Sequence, residues 1–360
     1  MPTLYASIPN MSISRTIRCL RTLSAKPEAA RLVRSFRFHP PSFHALHAFH
    51  ALLARVLGNM TGLRALLLNL ETTTPSILSR VSCRLTTFIC VTHNDSSQIS
   101  QFLKTQPTIE ELSITCPFRG ISGLDPDALP ALKRLIVPTW LLYDFALPRL
   151  SRLSRLCITR TSIDADSFVD LAAIFKMAKP PRSLELVIEM DTTIPMAIQV
   201  VSLGLATVGV VAPFITSLML DIYQGNIQQG ELQGMFTFVL PWFPNLKTLT
   251  IISPPPTSSA YSNDEPQPYS VQMLSDRIPI LHRGLVSLSG RPVDISILFP
   301  EQVEHGQTQD QPNSIPDAPN DRSCHMQLLK AWRQVHFGLE RVVFPGNAYA
   351  YVDKKQGNDG

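Results

Sequence analysis

Several signatures are missing from the 360-residue sequence. It holds no glycine-rich phosphate loop, no Gly-x-Ser-x-Gly elbow and no His-Glu-x-x-His pair. Nucleotide-dependent, serine-hydrolase and zinc-protease chemistry are thereby left without a motif. The six cysteines (Cys19, Cys83, Cys90, Cys116, Cys157 and Cys324) stand at irregular spacing, with no Cys-x-x-Cys pair and no zinc-finger Cys/His set. Neither a disulfide framework nor a structural zinc is expected. With no secretory leader either, a reducing compartment, cytoplasm or nucleus, is the expectation, and the sequons at Asn10, Asn59 and Asn94 are chance matches. Charge is sparse as well: 17% of residues are charged, the formal net charge is +4, and no run of basic residues occurs. That gives little support for a nucleic-acid surface.

Three clusters invite a chemical reading and do not sustain it. His44, His47 and His50 fall at i, i+3 and i+6 of a helical stretch. The first two share a helix face, the third is rotated away, and no nearby carboxylate or cysteine completes a ligand set. Solvent-facing histidines are expected there. The acidic pairs Asp125-Pro126-Asp127 and Asp164-Ala165-Asp166 suit a turn and a helix cap. No catalytic residue, metal or cofactor is nominated.

One long apolar run is present. Residues 192–220 carry no charged side chain over 29 positions. Stretches beyond about 18 apolar residues are candidate membrane spans. The N-terminus raises a second targeting question. Residues 1–27 hold Arg15, Arg18, Arg21 and Lys26 with Ile13, Ile17 and Leu20 at helical spacing and no acid, as a mitochondrial transit peptide would. An amphipathic helix covering the open end of a core has the same pattern, and is the expectation here.

The organising feature is a recurring hexamer, Leu-x-x-Leu-x-Leu with apolar substitutes. Good copies are LRALLL (63–68), LTTFIC (85–90), IEELSI (109–114), LKRLIV (132–137), LSRLCI (153–158), ITSLML (215–220) and LKTLTI (246–251). Weaker copies are LVRSFRF (32–38), LELVI (184–188) and LERVVF (339–344). Their second anchors (Phe36, Leu66, Phe88, Leu112, Leu135, Leu156, Val187, Leu218, Leu249 and Val342) recur at steps of 21 to 31 residues until the last, which is 93. Such a period and hexamer mark leucine-rich repeats. Anchors at relative positions 1, 4 and 6 point inward and the intervening strand residues point outward. One unit buries too little alone, so neighbours must stack. The connecting segments 43–60, 96–107 and 164–181 read as helices with serine or aspartate starts and glycine or proline stops. The expected fold is α/β: a right-handed leucine-rich-repeat solenoid with parallel strands on the concave side and helices on the convex side.

The apolar run falls into register with this period. Met196–Val211 becomes a helix of 16 residues, about 24 Å long and short of a bilayer core. Pro213 stops it, and Ile215–Leu220 is the next strand. The expected organisation is a helix in 1–31 covering the first repeat, an array over 32–252, a largely disordered insertion over 253–325, a C-terminal repeat or cap over 326–348, and a polar tail over 349–360. Pro, Ser, Gln, Asn and Asp dominate much of 253–325, too little apolar surface to offset chain entropy.

The hexamers, together with FLKTQPTIEELSI (102–114) and LPALKRLIVP (129–138), resemble the repeat region of fungal F-box-like leucine-rich-repeat proteins. TIRCLRTLSAKPEAARLVRSFRF (16–38) is similar to the helix and first strand that follow the F-box in that family. The resemblance implies a non-enzymatic substrate receptor, or truncated relative, of an SCF-type cullin–RING ubiquitin ligase. In such a receptor the repeats bind the target protein and the F-box binds the adaptor. No segment before Thr16 fits an F-box, so adaptor binding is expected only if one lies upstream. Alternatives are a repeat-only scaffold unrelated to ubiquitin and a membrane-associated protein anchored by residues 194–220. Strand alternation places Leu67, Asn69, Ile89, Glu111, Ser113, Arg134, Ile136, Arg155, Cys157, Met219 and Asp221 outward on the concave face, as the partner-binding set. Mixed charge with exposed apolar side chains suits a protein partner better than a polyanion. Arg134 and Arg155 fall at equivalent sites of adjacent repeats, about 5 Å apart at strand spacing. They form either a small basic patch for acidic target groups or two solvated arginines.

Overall fold

A computed structural model describes residues 6–38, 47–70, 75–92, 97–116, 124–159, 165–194, 196–254 and 318–351. Twelve strands lie in it: β1 Ser7–Ile8, β2 Ser35–Phe38, β3 Ala65–Leu70, β4 Thr87–Thr92, β5 Glu111–Thr115, β6 Arg134–Val137, β7 Arg155–Ile158, β8 Leu184–Asp191, β9 Ile215–Gln224, β10 Thr248–Ile252, β11 Arg341–Phe344 and β12 Asn347–Ala350. They form one open sheet in which sheet order equals chain order. Each neighbouring pair is parallel except β11 and β12, which close the array as an antiparallel hairpin. Ten α-helices connect them: α1 Ile13–Ala25, α2 Pro27–Ala30, α3 His47–Asn59, α4 Pro75–Leu78, α5 Ser97–Lys104, α6 Leu142–Phe145, α7 Ala165–Met177, α8 Ala197–Val211, α9 Gln229–Val239 and α10 Arg322–Val335.

The core follows from the hexamer. Phe36, Leu66, Phe88, Leu112, Leu135, Leu156, Leu186, Leu218, Leu249 and Val342 occupy one register row across the sheet. Every one is at most 1% exposed. The anchor expected at Val187 is displaced by one residue. Leu186 takes the inward row and Val187 the opposite one. Period-2 alternation means that a one-residue slip changes the face of every side chain. An irregularity between Leu184 and Glu185, opposite Ile215 and Ser217, absorbs the compensating residue in β9.

Step length decides what fits between strands. Where anchors lie about 30 residues apart, helices of 11 to 15 residues form, as in α3, α7, α8 and α9. The shorter steps hold less: α4 and α6 are four residues each, α5 is eight, and 3₁₀ turns at Thr139–Leu141 and Leu150–Arg152 complete the β6–β7 connection. Short steps thus hold short helices and turns in place of long helices.

The uncharged run resolves into α8, 15 residues long, and β9. Among the described residues no helix is long and apolar enough to cross a membrane. The absence of charge on α8 has a packing cause. It lies between α7 and α9, with contacts to both. Val200 and Leu203 are thereby half-buried, while Val210 stays 50% exposed. Ser202, fully buried, satisfies its hydroxyl by donating to the Ile198 carbonyl at 2.6 Å.

Both ends of the array differ from expectation. At the start, α1 covers the first core layer through Thr16, Leu20 and Leu23, and a two-residue strand, β1, pairs with β2 ahead of it. At the other end the last helix begins at Arg322, not Met326, because Asp321 caps it by accepting from the Ser323 amide at 2.9 Å. The Ala318 amide donates to the Ile227 carbonyl at 3.0 Å, so 318–325 belongs to the packed array. The bulk of the expected insertion, 255–317, lies outside the described residues. Residues 349–351, expected in the polar tail, are built in: Tyr351 donates its hydroxyl to the Leu329 carbonyl at 2.7 Å.

His325 locks this end. It is fully buried and stacks on Phe344 at 3.9 Å. Its Nε2 lies 3.0 Å from the Pro319 carbonyl, which only accepts, so Nε2 carries the proton and Nδ1 accepts from the Tyr349 hydroxyl at 3.0 Å. Burial lowers the imidazole below its ordinary value, against an opposing pull from the Pro319 carbonyl and Asp321. The folded state therefore favours the neutral ring. Its stability contribution is present above about pH 6.5 and declines as pH falls below that, where the unfolded chain takes up the proton first. Urea unfolding from pH 7.5 to 5.5 should show this loss, and His325→Gln should flatten the slope. An unchanged slope would contradict the assignment.

Candidate binding surface

The second face of the sheet carries the outward residues in three rows. The first reads Ser35, Ala65, Thr87, Glu111, Arg134, Arg155, Glu185, Ser217, Thr248 and Arg341 along the register. The second runs Arg37, Leu67, Ile89, Ser113, Ile136, Cys157, Val187, Met219, Thr250 and Val343. A third, at the strand C-termini, is partial: Asn69 faces the Val91 position, and Glu189 faces Asp221. All eleven residues expected on this face are on it. Ten of them are half-buried or exposed.

Cys157 is the exception, at 6% exposure. It sits between Ile136 and Val187, and Val187 is itself 2% exposed. Burial, with the negative charge of Glu189, pushes its thiol up to about 12. Such a thiol is protonated at neutral pH and is no nucleophile. Cys157 therefore packs within this face, where an exposed side chain was expected.

Charge along the first row alternates in blocks. Register order places Glu111 beside Arg134, Arg134 beside Arg155 and Arg155 beside Glu185. Arg155 Nη1 lies 3.7 Å from Glu185 Oε2, and its Nη2 lies 3.8 Å from the Met219 sulfur. The two arginines do neighbour each other, but acids flank them on both sides, so the centre of the face is a balanced acid–base row. Glu185 and Arg37 were not foreseen. In LELVI the misplaced anchor assigned Glu185 no face, although the Leu184-Glu185-Leu186 alternation carried that signal. At the strand ends Glu189 and Asp221 are register neighbours, and burial raises the Asp221 carboxyl above the usual range.

Among the described residues no group of three His, Cys, Asp or Glu side chains is placed to hold a metal. His50, expected toward solvent, is 6% exposed and packs edge-on to Phe49 at 6.3 Å. The position of His44 and the side chain of His47 lie outside the described residues. Asp125 acts as expected in a turn, its Oδ1 accepting from the Asp127 amide at 2.9 Å. Asp164 lies outside the described residues; α7 begins at the following alanine. Open grooves of 620–730 Å³ occur among helices and loops, one lined by Phe175, Pro180, Pro181, Val211 and Phe214 and another by Lys104, Asp125 and Asp127. No protein-family model matches the chain, and a search of curated proteins gives no match.

Proposed function

We propose that the chain is a non-enzymatic leucine-rich-repeat protein, a solenoid whose strand face is concave and binds a protein partner. The observation that carries this is the second row of that face. Leu67, Ile89, Ile136 and Met219 lie half-exposed in line, interleaved with Ser113 and bordered by Glu111, Arg134, Arg155 and Glu185. Apolar anchors bordered by charges fit the make-up of a protein–protein interface. In-register stacking of one hexamer through β2–β11 supports the repeat reading.

Within it, the role we propose is substrate receptor of an SCF-type cullin–RING ubiquitin ligase, or a truncated relative, in the cytoplasm or nucleus. Adaptor recruitment belongs to this role only where an F-box precedes residue 1. Without one, the protein is a target-binding scaffold. Co-purification of the adaptor and cullin with the tagged full-length gene product tests the ligase role; their absence in the presence of an upstream F-box would remove it. For the face itself, Leu67→Ser with Ile89→Ser should abolish capture of the partner while lowering stability by no more than about 2 kcal/mol, since both side chains are only half-buried. Retained capture would rule the face out.

A further inference from the structure

The mild net charge conceals an uneven distribution. Residues 1–109 contain twelve Lys and Arg against three Asp and Glu, out of 32 and 28 in the whole chain. Ten of those twelve are arginines. Within this region Arg31, Arg34, Arg64, Arg80 and Arg84 lie on three loops that lead into β2, β3 and β4, and all five are exposed. The loops are stacked on one another. The Arg64 amide donates to the Arg34 carbonyl and the Thr86 amide to the Arg64 carbonyl, both at 2.8 Å. Arg34 crosses the next loop and donates from Nη1 to the Gly62 carbonyl at 2.8 Å. Gly62 makes that crossing possible, because a Cβ there would sit 2.2 Å from Arg34 Nη1 and 2.4 Å from the Arg31 carbonyl oxygen.

The same rim behaves differently further along. Ahead of β5–β6 and β10–β11 its charges pair across adjacent units: Lys133 with Glu110 at 3.0 Å and Lys247 with Glu340 at 3.0 Å. Arg152 and Asp127 pair nearby at 3.5 Å. Among the described residues none of the five N-terminal arginines has a carboxylate partner. Among the described residues the rim ahead of β2, β3 and β4 is thus left cationic.

We infer that this arginine rim, with Arg37 and the adjoining Leu67 and Ile89 of the strand face, receives an acidic peptide segment of the protein partner, its carboxylates on the rim and its apolar residues on the face. This rests on the strand-face reading given above. Arginine supplies a planar fork that meets carboxylates bidentately, which lysine does not. A single-stranded nucleic acid would also seek aromatic surfaces for its bases. The one exposed large hydrophobic among the described residues of this end is Leu32. Arg37 joins the two parts, since it lies in β2 in register with Leu67, which is in register with Ile89.

The test uses the full chain and three fluorescent probes: a peptide of alternating Glu and Leu, an uncharged Ser-Leu peptide and oligouridylate. Anisotropy should show the Glu-Leu peptide bound at least about tenfold more tightly than the Ser-Leu peptide. Arg31→Glu with Arg64→Glu, whose side chains donate no hydrogen bond among the described residues, should weaken it at least about tenfold, and Lys247→Glu should leave it unchanged. Circular dichroism melting confirms that the variants fold. No binding of the Glu-Leu peptide, or equal binding by the rim variant, overturns the inference. Tighter binding of oligouridylate than of the peptide overturns the choice of a protein partner. If Leu67→Ser with Ile89→Ser loses the peptide while the rim variant keeps it, the rim falls and the strand-face reading stands. The opposite result removes the face and supports the rim.

Discussion

Replacing Arg149 with alanine should destabilise the protein by about 3–5 kcal/mol, because four backbone carbonyls lose a charged donor. Arg149 is 0% exposed, yet no carboxylate touches its guanidinium among the described residues. Its partners are backbone carbonyls. Nε donates to Ala128 at 3.0 Å, Nη1 to Asp144 at 3.0 Å and Phe145 at 3.3 Å, and Nη2 to Asp125. Burial, reinforced by the nearby Arg152, lowers it to about 10 against the pull of Asp125 and Asp127, so it remains charged at neutral pH. One side chain thereby joins the turn at 125–128 to the end of α6, in a connection too short for a full helix. Arg149→Met keeps most of the apolar stem and loses the donors. It should recover little of the loss, because the carbonyls would stay buried and unmet. Urea unfolding measures both variants. A loss below about 1 kcal/mol for Arg149→Ala would show that water replaces the guanidinium without cost.

Glycine-to-alanine changes should split by sign according to what each glycine faces. In an exposed helix the change gains up to about 1 kcal/mol. Gly234 in α9 has no heavy atom within 4 Å of the point where a Cβ would stand, so Gly234→Ala should stabilise. In α8 the opposite is expected. A Cβ at Gly204 would lie 2.1 Å from the Phe168 ring, and one at Gly209 would lie 2.7 Å from the Trp242 backbone oxygen. Gly204→Ala and Gly209→Ala should each destabilise by about 1–3 kcal/mol through overpacking. Gly209 is the stricter test, since its neighbour is backbone and cannot rotate aside. Stabilisation by Gly209→Ala, read from thermal melts of the three variants side by side, would contradict the close approach of α8 to the segment after α9.

The two glycines sharpen the meaning of the uncharged run. In the sequence they are two small residues inside an apolar run. In the fold they are points where Phe168 on one side and Trp242 on the other approach α8 closely. A helix flanked on both sides retains few positions where a charge would reach water, so hydropathy and burial agree without a bilayer.

Much of the sheet was legible in residue order alone. The hexamer anchors, the strand alternation and the adjacency of Arg134 and Arg155 follow from local periodicity, which a strand expresses whatever surrounds it. Step lengths also carried, unread, the lengths of the connecting helices, because a chain of about 22 residues that must span a strand and return has little left for a helix. The strand-face residues were legible for the same reason, with one gap at LELVI, where two apolar registers compete and only pairing with Leu156 and Leu218 selects Leu186. Burial of Cys157 and His50 was not legible, because it depends on the length of neighbours from other strands and helices. Nor was the role of Arg149, whose four carbonyl partners come from backbone that sequence pattern does not place. The arginine rim divides the same way. Its composition stands in the first 109 residues, but only stacking of the loops before β2, β3 and β4 gathers those arginines at one edge. Local periodicity thus determined the elements and their order; the tertiary structure decided which side chains are buried, paired or left facing solvent, since those properties belong to contacts between units.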